Sequence, residues 1–313
     1  METAKQLYRY WFGFGSPVTM GVFRIVFSLL LFINFAMIGM FWNDWFGQTG
    51  YVPAEIAGRW LDSHYLNGGT ADLWFNRIDP LFGVSNDTVV KVVYWMTAGF
   101  AMLSALGLWS RFSTFCLAVG VVTLHHRNPI ILHGGDTWMR VASIYLALAP
   151  SGAAVSLDRW IALRRGKAPA QPELVSMWPQ RLIAYNLALL YFTTTWSKWF
   201  GGLWKSGDAT WYPARLHEFD RFPVPDFVNQ YPMVKVTTWG TLAVEFALGT
   251  LVFFKPLRKW VLLSGIALHM WIEYSMNIPL FAFLMTSSYI VFYDGEETAA
   301  WWDRLKARFA RSQ

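Results

Sequence analysis

The chain has 313 residues and is 55% hydrophobic and 18% aromatic, but only 15% of its residues are charged. A soluble domain usually carries about a quarter charged residues, and the nineteen tryptophans are typical of membrane–water boundaries. This composition excludes an ordinary soluble enzyme, and the net charge of +6 comes with no nucleic-acid signature. The single Cys116 excludes both a disulfide framework and a cysteine-based metal site.

Eight apolar segments approach the length of about 20 residues that crosses a bilayer. They predict an all-α, polytopic membrane helix bundle with about eight transmembrane helices in one domain, 1–313. The third segment is short and the last two nearly merge, so the count is open by one. The predicted spans are 18–42, 88–109, 112–124, 137–157, 182–200, 233–254, 260–274 and 278–293.

The distribution of Lys and Arg predicts the orientation. One set of connections carries fifteen Lys/Arg and seven Asp/Glu, and the alternating set carries nine and twelve. We therefore expect both termini to be cytoplasmic, with an interfacial segment over 1–16 and a basic amphipathic tail over 294–313. The aromatic first residues lack a small-residue cleavage site, so no cleavable signal peptide is expected. All six histidines then fall at the extracytoplasmic end.

The connection richest in titratable groups covers residues 125–140 and reads HHRNPIILHGGDTWMR. A bend would need only its proline and glycines, so we predict that this hinge forms part of a reaction or binding site. His125, His126 and His133 could be metal ligands. However, adjacent histidines diverge along a helix and no carboxylate has a familiar ligand spacing, so no metal is expected.

Two further residues of the hinge, Asp136 and Arg140, share one helix face. Asp136 follows two glycines where a helix N-cap belongs, so capping is its structural interpretation. A second role, in holding a lysine or histidine, is the functional alternative.

Lys198 ends the fifth predicted span between Trp196 and Trp199. It is either an anchoring lysine that reaches the headgroups or a desolvated base with a lowered pKa. His269 and Glu273 lie four residues apart on the seventh span. Glu273 could fix the tautomer of the His269 imidazole, or the two side chains could simply hydrogen-bond to each other at a helix end without a further role.

Two charges lie deep within predicted spans, Arg24 in the first and Glu245 in the sixth. A lone buried charge costs several kcal/mol, so we predict a structural ion pair between them. The loops 43–87 and 201–232 are rich in aromatic residues and too long for plain turns, which predicts a lid that excludes water.

Several stretches together resemble a known family. In order they are Arg24, FGQTGYVP, GLWSRFS, HHRNPIILHGGDTWMR, WSKWFGG and LHMWIEYSMNIPLFAF. They resemble the horizontally transferred transmembrane (HTTM) domain, the membrane domain shared with vitamin K-dependent gamma-carboxylase. The likeness covers residues 17–293, nearly the whole chain.

The resemblance implies a membrane enzyme that oxidises reduced vitamin K, or a menaquinone-type hydroquinone, with O2 to an epoxide. A peptide glutamate on the extracytoplasmic side would be a further substrate, carboxylated by CO2. Lys198 matches the family's base and His269 its later histidine, while Asp136 stands where an assisting histidine is found. The expected supporting residues are Glu273, Arg140, His126 and His133, and the expected prenyl-binding rings are Trp196, Trp199 and Phe281.

The resemblance also implies a bacterial inner (plasma) membrane, with the lipid bilayer and an isoprenoid quinone as partners and no nucleic acid. The large lumenal domain of the animal enzymes does not follow residue 293 in this sequence, so quinone oxidation could persist without carboxylation. The alternative is a non-catalytic membrane factor that binds, matures or gives immunity to a secreted peptide or toxin. A transporter is disfavoured because no inverted repeat is visible.

Overall fold

The computed structural model of the chain describes residues 2–53, 56, 80–81, 84–219 and 221–310. Within these ranges the regular secondary structure is helical apart from two strands of two residues each, which confirms the all-α class. The chain divides into two compact units. Unit 1 comprises Met1–Gln180 and Asp294–Gln313, and unit 2 comprises Arg181–Tyr293.

The described helices are numbered in chain order, and short 3-10 turns separate several of them. They are α1 (Glu2–Phe12), α2 (Val18–Gly39), α3 (Trp42–Phe46), α4 (Asp87–Leu106), α5 (Ser110–Arg127), α6 (Gly134–Leu148), α7 (Leu157–Arg164), α8 (Trp178–Trp199), α9 (Gly202–Ser206), α10 (Tyr231–Thr250), α11 (Lys255–Ser275), α12 (Phe281–Ser288) and α13 (Gly295–Ala310). Strands β1 (Phe14–Gly15) and β2 (Val175–Ser176) pair antiparallel.

Unit 1 is built on four helices, α2, α4, α5 and α6, each of which packs on the next. Polar pairs tie them together inside the apolar core. The hydroxyls of Ser28 and Ser104 lie 2.7 Å apart, and the Tyr94 hydroxyl donates to the Phe35 carbonyl over 2.6 Å. Gly107 ends α4 with a φ of +68°, a left-handed conformation that glycine adopts without steric cost.

The C-terminal helix α13 belongs to unit 1, where it packs on α2. The hydroxyls of Thr19 and Thr298 lie 2.6 Å apart, and the Ser16 amide donates to the Glu296 carboxylate. The helix predicted within the tail 294–313 is therefore present, and its first turns are fixed to the start of α2. Its place on a cytoplasmic membrane surface, and the interfacial place of 1–16, stay predictions.

Unit 2 contains α8 from Arg181 onwards together with α9 to α12. Helices α8 and α10 approach closely at Gly249, where a Cβ atom would lie 2.8 Å from the Phe192 amide nitrogen. Helix α11 packs on α10 and on α12. The described part of the predicted loop 201–232 contains α9 and a series of 3-10 turns before α10 begins at Tyr231.

Each of the eight predicted spans overlaps a helix, although α6 ends at Leu148, well before the end of the predicted span 137–157. Three described helical segments are long and apolar enough to cross a membrane. They are Val18–Gly39, Asp87–Leu106 and Tyr231–Phe253, and Phe281–Phe292 is a shorter apolar segment. The membrane character is therefore supported, whereas the count of about eight spans is not confirmed. Most of the predicted loop 43–87, including His64, lies outside the described residues.

Candidate functional site

An ion pair joins the last turn of α8 to the middle of α10 in unit 2. The ammonium of Lys198 donates to Oε1 of Glu245. The Lys198 side chain is 28% exposed and that of Glu245 10% exposed, so the carboxylate is the more deeply enclosed partner. A charge in such surroundings requires a partner of opposite sign, and Lys198 provides it.

A second polar cluster lies at the centre of unit 2. The Tyr191 hydroxyl is 2.7 Å from Nε2 of His269 and 2.9 Å from the Tyr289 hydroxyl. All three side chains are at most 3% exposed. Gly265, one turn before His269 on α11, leaves the space for this arrangement because a Cβ there would lie 2.7 Å from the Tyr289 hydroxyl.

The two clusters are close enough to interact electrostatically. The charge of Lys198 acts on His269, and the charge of Glu245 acts on both Tyr191 and Tyr289. Two buried polar atoms in this group, Oε2 of Glu245 and Nδ1 of His269, have no hydrogen-bond partner within the described part of the chain. Buried polar atoms are normally hydrogen-bonded, so these two can accept or donate to a water or a ligand group.

An aromatic cavity of about 830 Å³ lies beside the ion pair in unit 2. Trp204 connects the two features, since its ring lines the cavity and lies 5.1 Å from the Lys198 ammonium. The volume falls in the range typical of small-molecule sites, about 300–1,000 Å³. The residues that line the cavity are Phe192, Thr195, Trp196, Trp199, Trp204, Lys205, Trp239, Leu242, Ala243 and Phe246.

The hinge predicted from the sequence connects α5 to α6 in unit 1, and its main visible role is structural. His133 and Asp136 form a capping box: Nδ1 of His133 accepts from the Gly135 amide, and Asp136 accepts from the His133 amide over 2.8 Å. Arg127 donates to the carbonyls at Leu81 and Val84, which fastens the hinge to the preceding loop.

The same hinge nevertheless concentrates buried titratable groups. Burial raises the pKa of Asp136, although His133 and Arg140 act in the opposite direction. Burial also lowers the pKa of His125 to about 3, and the positive charges of Arg140, His126 and His133 add to this effect. Asp136 and Arg140 thus lie near the hinge histidines. Asp136 belongs to unit 1 and Lys198 and His269 to unit 2, so the convergence of those three stays a prediction.

Residues 15–296 match the HTTM domain, which is nearly the whole chain. The chain belongs to the HTTM domain family. This confirms the family suggested by the short motifs, and it makes the protein a member of a membrane-associated family related to the carboxylase. No curated protein and no solved structure matches the chain.

Two pairings predicted for this HTTM domain are wrong. Glu273 pairs with Arg221, and His269 bonds instead to Tyr191, so Glu273 does not orient the imidazole. Arg24 and Glu245 have partners in their own units: Glu245 pairs with Lys198, whereas Arg24 donates to main-chain carbonyls near the start of α7. The helical spacing of His269 and Glu273 made a contact possible, but an arginine from a distant loop competes better for a carboxylate.

The three aromatic rings that were expected to bind a prenyl chain do not all lie at the cavity. Trp196 and Trp199 line the cavity, whereas Phe281 does not and instead packs edge-on against His269 with ring centroids 5.3 Å apart. Sequence reasoning missed Tyr191 and Tyr289. Tyr191 could have been found, because it precedes Lys198 by seven residues, two helical turns, and therefore lies on the same face.

The hinge histidines of the HTTM domain form no visible metal centre. Among the described residues, no three His, Cys, Asp or Glu side chains are grouped as metal ligands would be. The expectation that the protein needs no metal stays a prediction.

Proposed function

We propose that this HTTM domain protein binds a reduced isoprenoid quinone as substrate in the aromatic cavity of unit 2 and oxidises it with O2. The observation that carries the proposal is the shared position of Trp204, which lines the cavity and lies under the Lys198 ammonium. A flat ring and an isoprenoid chain suit tryptophan walls, because aromatic rings stack and the walls exclude water. The acid–base pair needed for a hydroquinone lies at the edge of that cavity.

Lys198 and Glu245 together supply the base. In contact, an ammonium and a carboxylate can exchange one proton, which leaves a neutral amine and a neutral acid. An apolar ligand that excludes water favours this form, because separated charges lose solvation. Neutral Lys198 then accepts the proton of the substrate hydroxyl and becomes ammonium again. A lysine must be neutral to act as a general base, and from the sequence we expect burial alone to make Lys198 neutral. In this proposal the proton exchange with Glu245 produces the neutral form instead.

The overall reaction balances without a metal or another reductant. One hydroquinone and one O2 give one quinone epoxide and one water, so that four electrons pass from the quinone carbons to the two oxygen atoms. Carboxylation of a peptide glutamate by CO2 would be a further step, and the proposal does not depend on it. Tyr191, His269 and Tyr289 form a hydrogen-bonded cluster that interacts electrostatically with the ion pair between α8 and α10.

The test is O2-dependent oxidation of menaquinol by the protein in liposomes, followed by epoxide detection. Lys198→Met should lower the rate at least about 100-fold, the usual size of a general-base contribution. Lys259→Met is the matched control, because Lys259 also lies over a tryptophan ring, 5.4 Å from Trp260, and does not line the cavity. Normal turnover by Lys198→Met would overturn the assignment of the base.

The rival function, a membrane factor that binds or matures a secreted peptide, gives a different result in the same preparation. Bound quinone in the purified protein without any oxidation would favour binding without catalysis. Absence of both bound quinone and turnover would overturn the proposal.

A further inference from the structure

We infer that the occupant of the aromatic cavity carries a negative charge at its head and that Lys205 recognises this charge. The inference rests on the proposed function, since it concerns the same cavity, and it names the class of ligand. That class is an amphiphile with an apolar body and one anionic oxygen group, which an aryl oxide, a carboxylate or a phosphate would provide.

The cavity wall is almost entirely apolar. Of the ten described residues that line it, Lys205 alone carries a charge, and Thr195 is the other polar member. Pockets of this kind use a small number of polar groups to fix the orientation of a ligand whose body is held by apolar walls. Lys205 is therefore the lining residue that would bind the charged head of an amphiphile.

The other cations near the wall do not line the cavity. Lys198 is paired with Glu245, and the charge of Asp208 acts on Lys235, which lies 5.7 Å from the Trp239 ring. Lys205 forms no ion pair with any described residue; its ammonium lies 6.0 Å from the Phe200 ring. A cavity with one uncompensated cation is complementary to one negative charge.

The backbone fixes where Lys205 lies. Helix α9 ends at Gly207, whose φ is +87° and where a Cβ would lie 2.9 Å from Cγ of Lys235. One turn earlier, the indole nitrogen of Trp239 donates to the Trp204 carbonyl over 3.2 Å. These contacts fix the backbone of the short helix that carries Lys205.

The ordinary alternative is that Lys205 only reaches toward lipid headgroups, as interfacial lysines do. The two interpretations differ in one measurable property. A recognition role requires that ligands with the same apolar chain bind according to head charge, and that the preference disappears with the lysine. An interfacial anchor gives no such preference at the cavity.

The experiment compares farnesyl phosphate with farnesol by titration calorimetry of the full protein in a neutral maltoside detergent. The wild type should bind the phosphate about five- to tenfold more tightly at low salt, the size expected of a partly exposed charge-assisted contact. The preference should decrease in 0.5 M salt, since screening weakens exposed charge pairs. Lys205→Gln should bind both probes equally, and the control Lys259→Gln should keep the wild-type preference.

A second variant tests whether the two probes bind inside the cavity. Ala243 lines the wall and is exposed, so Ala243→Phe fills space without disturbing the core and should weaken both probes. Vesicles of phosphatidylglycerol and of phosphatidylcholine serve as competitors. If the cavity binds anionic membrane lipids, phosphatidylglycerol should displace farnesyl phosphate and phosphatidylcholine should not. If it binds a free isoprenyl anion, neither lipid should displace the probe. Equal binding of both probes by the wild type, or a preference that survives in Lys205→Gln, would overturn the inference and leave the menaquinol assay unaffected. Loss of oxidation with an intact preference would overturn only the proposed function.

Discussion

The Lys198 ammonium donates to the Glu245 carboxylate, and this contact joins α8 to α10 inside unit 2. Tyr191, on the same face of α8 two turns earlier, bonds to His269 on α11. One face of α8 therefore carries the polar contacts to both neighbouring helices. A change in the ion pair should affect the stability of the unit as well as any chemistry at the cavity.

We expect Glu245→Gln and Lys198→Met each to destabilise the protein by about 1–3 kcal/mol. The value lies below that for a fully buried pair because Lys198 is 28% exposed. The double variant should lose less than the sum of the two, since it leaves no unpaired charge. Thermal unfolding of the four proteins in detergent measures this, and strictly additive losses would show that the contact contributes nothing.

Gly265→Ala tests the space that holds the tyrosine–histidine cluster. The new Cβ would lie 2.7 Å from the Tyr289 hydroxyl and 3.0 Å from Leu248, so we expect a loss of about 1–3 kcal/mol from overpacking. Gly240→Ala in α10 is the matched control, because no atom lies within 4 Å of its Cβ position. That change should be neutral or stabilising by up to about 1 kcal/mol, as expected for glycine in a helix. Equal melting temperatures for the two variants would contradict the crowding at Gly265.

Acid should destabilise the protein through His125. Burial, with the charges of Arg140, His126 and His133, lowers the folded-state pKa to about 3, although a hydrogen bond to the Asp136 backbone acts in the opposite direction. The unfolded chain has the ordinary value of about 6.5, so it binds the proton more strongly. The stabilisation is complete above about pH 6.5 and is lost as the pH falls toward 3, by up to about 1.4 kcal/mol per pH unit.

Melting temperatures of the wild type and His125→Gln, each at pH 8 and pH 5, measure this effect. The wild type should lose more stability between the two values than the variant does. The comparison within each protein removes any constant cost of the substitution. A parallel decrease in both would mean that other groups are responsible.

The sequence predicted helices well because the apolar segments are long and bounded by clear turns. It could not predict partners for charges, because a carboxylate or a guanidinium takes whichever group the fold brings near. Asp136 needs only its own neighbours to cap the helix, but the N-cap residue is His133, and Asp136 lies at the third helical position, where its side chain accepts from the His133 amide. Glu273, in contrast, bonds to Arg221, fifty-two residues away in sequence, and no local pattern encodes such a contact.

Arg24 shows how such an error changes a prediction. Its guanidinium is fully buried and donates to the carbonyls of Ser151, over 2.6 Å, and Val155, over 2.7 Å. We expect Arg24→Met to cost about 2–4 kcal/mol, because it leaves one buried and one partly buried carbonyl without their donors. The exposed Arg304→Met is the control and should change stability by less than about 0.5 kcal/mol. A second-site Glu245→Gln should not rescue Arg24→Met, whereas rescue would restore the ion pair predicted from the sequence.

A strap of chain after His217 is fastened to the end of α11. Arg221 pairs with Glu273, and the Tyr274 hydroxyl donates to the Pro223 carbonyl over 2.7 Å. Further along, the Asn277 amide donates to a carbonyl of the strap, also over 2.7 Å. The strap is thus held to the end of α11 by two side-chain contacts and one main-chain hydrogen bond.

Arg221→Ala should therefore release the strap and expose the amide of Asn277. Hydrogen exchange followed by mass spectrometry should show faster exchange for peptides that contain residues 274–277, by about the factor of ten that 1.4 kcal/mol represents. Tyr274→Phe removes one hydrogen bond and no charge, so its effect should be smaller. An unchanged exchange rate in Arg221→Ala would show that the main-chain hydrogen bond holds the strap by itself and that the ion pair between Arg221 and Glu273 is dispensable.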